Sequence, residues 1–184
     1  MKLLQTKALL RDENGSIAIE FAIFAVVFIV LMGAVIDFGG LAYARFKVEN
    51  AVSAASNYAL INGDAITAAG ASGLAGTIGS IIANADSTIT GKVVVNNGPE
   101  ATISGGSAST SGAASYADSC YCPSDGGSNI SWGGSVTCKS SCPSGGIAGK
   151  FVSIDVKRRY TPLFLFSGSG DEREITVRAM VQAK

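Results

Sequence analysis

Two groups of residues in this chain have types and spacings that can do chemistry. One is the string NGSIAIEF at residues 14–21, where Gly15 and Ser16 are followed by Glu20 and Phe21 at the head of an apolar run. The other is CYCPSDGGSNISWGGSVTCKSSC, which spaces Cys120, Cys122, Cys138 and Cys142 as C-x-C, fifteen residues, then C-x3-C. A carboxylate inside an apolar run is costly, on the order of 3 kcal/mol at the centre of a bilayer. Glu20 is about one helical turn from Ile17, so its carboxylate can reach toward headgroups, and an acid in the first helical turn also suits the macrodipole. From charge alone, a tolerated terminal acid and a functional one stay equally open.

The cysteine spacing admits three chemistries. The fifteen-residue interval falls in the range of a zinc ribbon, but neither end has the C-x2-C knuckle such sites want. The redox motif C-x-x-C is absent as well. Disulfides fit best if this part of the chain lies outside the cytosol. Cys120 and Cys122 are two apart on an extended chain, so they face the same side and are badly placed to bond each other. Nested pairing across a hairpin, Cys122 with Cys138 and Cys120 with Cys142, satisfies the geometry, although three connectivities are formally open. Each bridge would close a loop worth on the order of 3 kcal/mol, in a stretch too rich in glycine and serine to pack on its own.

Other chemistries lose their usual agents. Histidine is absent from the 184 residues, which removes the commonest general base and the commonest zinc ligand. No paired acidic motif sits in a convincing context, so the expectation is a protein that is not an enzyme and has no cofactor or metal. The 14 basic and 14 acidic residues balance, and no basic stripe with interleaved aromatics is visible, so no nucleic-acid partner is expected. Lys157, Arg158 and Arg159 form a basic triplet that either meets an anionic partner or is simply solvated.

The elements that must position these residues begin with the apolar run. Residues 17–36 are twenty positions interrupted only by Glu20, the length a helix needs to cross a bilayer. Asp37 then falls at the far interface. A polar segment with Lys2, Lys7 and Arg11 precedes the run. A secretory signal peptide would be cut after the apolar region, and LAYA, with Ala42 and Ala44 before Arg45, is a candidate site. Basic residues before the run and just after it (Arg45, Lys47) barely differ, so they do not orient the span.

A short charged leader, a glycine, four residues, a glutamate, an aromatic and an apolar helix form the prepilin pattern. The run continues as GAVIDFGGLAYARFKVENAVSAASNYAL. Gly15, Glu20, Phe21, Ile36, Asp37, Phe38 and Gly39 together make residues 14–60 resemble the TadE-like minor pilins, or pseudopilins, of the Tad/Flp tight-adherence pilus. The resemblance implies cleavage between Gly15 and Ser16 by a membrane aspartic (prepilin) peptidase. Glycine suits that step because it lets another backbone approach closely. The cut would free an amine at Ser16, which the Glu20 carboxylate would pair with, in the same chain or in a neighbouring subunit. Implied partners are the peptidase, other pilins or pseudopilins, the inner-membrane assembly platform and membrane lipid. The implied location is the bacterial inner membrane, single-pass, with the C-terminal part periplasmic or, after assembly, extracellular in the pilus.

Beyond the span the helical pattern persists to residue 61, giving one helix of about 45 residues and about 68 Å. NGD at residues 62–64 reads as a stop and restart, with Gly63 as an αL cap and Asp64 as the next N-cap. A weaker helix follows, carrying Ile66, Ala69, Ile78, Ile81 and Ile82. Gly70, Gly73, Gly76 and Gly79 in that stretch signify either close packing or plain instability. KVVVNN, KFVSIDVKRRY and REITVRAMVQ read as strands, the last two with Val152, Ile154, Val156 and Ile175, Val177, Ala179, Val181 inward. LFLF and SGSGDE between them predict an apolar stretch and a hairpin turn. The expected fold is α+β and pilin-like: a long N-terminal helix, membrane-spanning in its first half, packed on a small antiparallel sheet, with a bridged Gly/Ser-rich loop. The expected division is a leader at 1–15, a span at 16–37 and an α+β domain at 38–184. The competing expectation is an anchored or secreted periplasmic binding domain unrelated to pili.

Overall fold

The structure, a computed structural model, describes residues 14–126, 130–164 and 172–184. The leader up to residue 13 and the SGSG turn therefore lie outside the described residues. In chain order the elements are helix α1 (Asn14–Ile61), a 3-10 turn (Gly63–Ala65), helix α2 (Ala71–Ala85), strands β1 (Ile89–Val95), β2 (Glu100–Ser104) and β3 (Ser107–Ser111), a second 3-10 turn (Ala114–Asp118), and strands β4 (Ser124–Asp125), β5 (Ile130–Ser131), β6 (Phe151–Tyr160) and β7 (Arg173–Gln182). The architecture is α+β, as expected. Its contacts divide the chain into two compact units, Met1–Leu41 with Pro162–Asp171, and Ala42–Thr161 with Glu172–Lys184.

The larger unit is built on a five-stranded antiparallel sheet of order β3-β2-β1-β6-β7. Alternation of apolar and polar residues gives it one buried face. Cross-strand rows on that face, such as Ala101–Val93–Ile154–Ala179, place one apolar side chain from each strand side by side. The other face carries Asp155 and Lys157, each ion-paired across to β7, with Arg178 at 3.0 Å and Glu174 at 2.9 Å. Val48, Ala51, Val52, Ala55 and Ala59 of α1 recur at helical spacing and join the same core. Leu74, Ala75, Ile78, Gly79 and Ile82 of α2 do likewise.

The glycine repeat resolves position by position. A Cβ on Gly79 would lie 2.9 Å from the Cβ atoms of both Ala101 and Ala108, so this glycine lets α2 press onto β2 and β3. Gly73 faces open space. A Cβ on Gly70 would stand 2.5 Å from the carbonyl oxygen of Ala65, so the repeat makes close contacts at both ends and leaves Gly73 as a tolerated helix-weakener. Strands β2 and β3 arise from a Ser/Ala/Thr stretch that periodicity alone does not mark. Their signal is the Gly105–Gly106 pair, which takes φ of +58° and +76°, the conformation tight hairpins require.

Two expectations at the end of α1 are corrected. Gly63 is not an αL cap; it is buried in the 3-10 turn, where a Cβ would stand 2.2 Å from the carbonyl oxygen of Ala183. Asp64 caps no helix, because α2 starts only at Ala71 behind Gly70; its carboxylate instead pairs with Lys184. The turn after β1 is also more than punctuation. Asn96 is fully buried, donates to the carbonyls of Ala117 (3.0 Å) and Ser119 (2.6 Å), and accepts from the Phe151 amide (3.2 Å). It thereby ties the second 3-10 turn to the start of β6.

Candidate processing and anchoring segment

Gly15 and Ser16 lie in the first turn of α1, whose backbone is helical from Asn14. Beyond its first and last turns, a helix satisfies its backbone polar groups internally, which is what an apolar solvent demands of a crossing segment. From Ile17 to Phe38 the large side chains are exposed, Phe21 among them at 74%. This helix is long and apolar enough to cross a membrane.

Glu20 is the seventh residue of α1, so it stands in the second turn rather than the first, and no acid occupies the first turn. The macrodipole argument for it therefore weakens with the helix as it stands. Glu20 is exposed among apolar neighbours, and among the described residues no hydrogen bond or ion pair engages its carboxylate. Ser16 and Glu20 are four residues apart, on one helix face and about 6 Å apart along the axis. An amine created at Ser16 would start a helix in which Glu20 sits one turn in.

Asp37 has a role that position alone did not reveal. The Leu163 amide donates to its Oδ1 at 2.7 Å, and the Phe164 amide donates to Oδ1 at 3.2 Å and Oδ2 at 3.0 Å. No sequence pattern links the acid of IDFG with the LFLF stretch. The only hint is that both break the regularity of their surroundings.

All four cysteines are bridged, as Cys120–Cys138 and Cys122–Cys142. This corrects the nested pairing. A nested pair presumes a single two-stranded hairpin, whereas Cys120 bridges to Val136, Tyr121 to Gly149 and Ser141 to Ile147. The chain after Cys142 turns back so that residues 147–149 pair with Ser141 and Tyr121, and Cys138 and Cys142 do not face Cys122 and Cys120 as on one simple hairpin. The Cα separations are 5.1 and 5.6 Å, within the ordinary range. Trp132 packs edge-on to the buried Tyr121 ring, with centroids 6.1 Å apart. An open depression of about 750 Å³ beside the bridges is lined by small residues, including Ser119, Ser135 and Thr137, and by no charged group.

The basic triplet is internally matched. Lys157 pairs with Glu174 at 2.9 Å, Arg158 with Asp86 at 3.2 Å and Arg159 with Glu172 at 3.4 Å. That pattern fits a solvated, locally neutral strand end better than an anion site. Among the described residues, no group of three or more metal-ligating side chains converges.

A family model described as TadE-like protein matches residues 15–57, from the glycine of NGSIAIEF to the buried second half of α1. Neither the curated proteins nor the solved structures contain a match to the chain.

Proposed function

From a TadE-like segment at residues 15–57, a Tad-pilus-associated signature, we propose that the chain is a minor pilin or pseudopilin, a structural or assembly component of a Tad-type pilus with no enzymatic activity. The observation that carries this reading is the start of the family match at Gly15, five residues before Glu20, the one carboxylate within the apolar run of residues 17–36. A prepilin peptidase cuts between Gly15 and Ser16. The freed amine at Ser16 and the Glu20 carboxylate then neutralise one another, within a chain or between neighbours, because an unpaired charge in an apolar phase is expensive. The apolar helix holds the protein in the inner membrane. Two disulfides favour an oxidising compartment, which supports a periplasmic or extracellular placement of the cysteine-bearing part. Partners are the peptidase, other pilins and the assembly platform.

The competing cut after Ala44 is disfavoured by burial: Ala44 is 2% exposed and lies within α1, so such a cut would end the helix inside its own packed stretch. N-terminal sequencing of membrane and sheared-pilus fractions tests the reading. Ser16 as first residue is expected; Arg45 would mark a secreted domain and Met1 a plain anchor. Gly15→Leu should leave a slower-migrating, unprocessed band. Glu20→Leu should be cut normally yet be lost from the pilus fraction, and normal incorporation of that variant would sink the pairing step.

A further inference from the structure

The connection after β6 carries apolar side chains where a hairpin in water carries polar ones. Leu163 is 75% exposed and Phe164 44% exposed, immediately after Pro162. Leaving two such side chains in water forgoes the stabilisation that burial gives, so this pair calls for an apolar phase.

Asp37 sets the depth at which the pair is held. It directly follows the apolar run of α1, so its Cα lies where a bilayer's hydrocarbon ends. Its two carboxylate oxygens take the amides of Leu163 and Phe164 at 2.7–3.2 Å. Backbone amides brought toward hydrocarbon need such an acceptor, since no water there can satisfy them.

We infer that residues 162–164 are a second membrane-contacting element: Leu163 and Phe164 enter the interfacial layer of the bilayer, and Asp37 pins them there. Lipid is the occupant because the pair is continuous with the exposed apolar surface of the span, and is held at its end by a charged group that itself belongs at the headgroup level. This rests on the reading that α1 crosses a bilayer.

The test uses a single indole reporter in the full chain. On a Trp132→Phe background, Phe164→Trp and, separately, Phe28→Trp are reconstituted into phosphatidylethanolamine/phosphatidylglycerol vesicles containing phosphatidylcholine brominated at shallow or deep acyl positions. The reporter at 28 should be quenched more by deep bromines. The reporter at 164 should be blue-shifted and quenched at least twofold more by shallow than by deep bromines. Adding Asp37→Ala should cut quenching at 164 at least twofold while leaving 28 unchanged, and Asp37→Asn, which keeps an acceptor oxygen, should retain most of it. If 28 is unquenched, the spanning reading fails and takes this inference with it. If 28 is quenched and 164 is not, the inference alone is overturned. It is overturned equally if 164 is blue-shifted but unquenched and the shift disappears when protein is diluted in lipid, because a second copy then covers the pair. Unchanged quenching at 164 in Asp37→Ala removes Asp37 as the pin.

Discussion

Asp86, just past the end of α2, is where charged side chains from α1 and β6 converge. Its carboxylate is 8% exposed, 3.2 Å from Arg158 and 3.9 Å from Lys47, and it accepts from both the amide (2.9 Å) and the hydroxyl (2.6 Å) of Thr88. Burial by itself pushes this carboxyl up, but Thr88 and the two cations together outweigh it and hold the group below the usual aspartate range. A group whose folded pKa is depressed stabilises fully above its unfolded pKa, about 3.9, and loses that contribution as pH falls through the folded value. Glu174, beside Lys157, and Asp64, beside Lys184, are lowered too, but both are exposed and salt-screened. Asp86→Ala should therefore cost on the order of 2 kcal/mol at neutral pH, between an exposed and a fully buried pair. It should also flatten the loss of stability below about pH 4, read by urea unfolding of the detergent-solubilised chain across pH. An unchanged acid limb would assign the effect to other carboxylates. None of this convergence was legible in the sequence, because Lys47, Asp86 and Arg158 share no local pattern and meet only through the fold. The four cysteines were legible as bridged, but their partners depend on three separate backbone bridges that spacing does not encode.

At the scale of elements, the strongly periodic segments were readable and the small-residue ones were not. Helix α1 and strands β6 and β7 announce themselves through apolar spacing that matches their own period. Strands β2 and β3 do not, since Ser, Ala and Thr in a glycine-rich stretch resemble a linker. They are strands because α2 lies close above them, and α2 lies close because Gly79 has no side chain. Gly79→Val should accordingly destabilise by about 2–3 kcal/mol through overpacking against Ala101 and Ala108. Gly73→Ala, in open space on the same helix, should stabilise by up to about 1 kcal/mol. Paired thermal melts of the two variants check this. Equal effects would mean that helix propensity, not helix–sheet contact, governs the glycines. The same contact explains why the repeat was ambiguous in sequence: its members have different surroundings, visible only once α2 is set on the sheet.

For the whole molecule, the sequence made the α+β class and the long apolar helix plain, because both rest on patterns tens of residues long. The TadE-like match ends at residue 57, so the sheet and the bridged loop have to be understood from their own physics. The bridges make compartment testable. In the exported protein no cysteine should be alkylated before reduction, and mapping should recover only the 120–138 and 122–142 peptides. A form retained in the cytoplasm should show four free thiols and lower stability, by about 3 kcal/mol for each missing bridge. Free thiols in exported protein would overturn the placement. The Asp37 clasp bears on how such a chain is made. Asp37 and Leu163 are 126 residues apart in sequence. The ribosome delivers the acid 126 residues before its amide partners, so on the proposed topology the carboxylate is left to water and headgroups until those partners arrive. On the proposed topology, closure of the clasp would mark the moment at which residue 163 has crossed, and a chain stalled before that point would keep the clasp open.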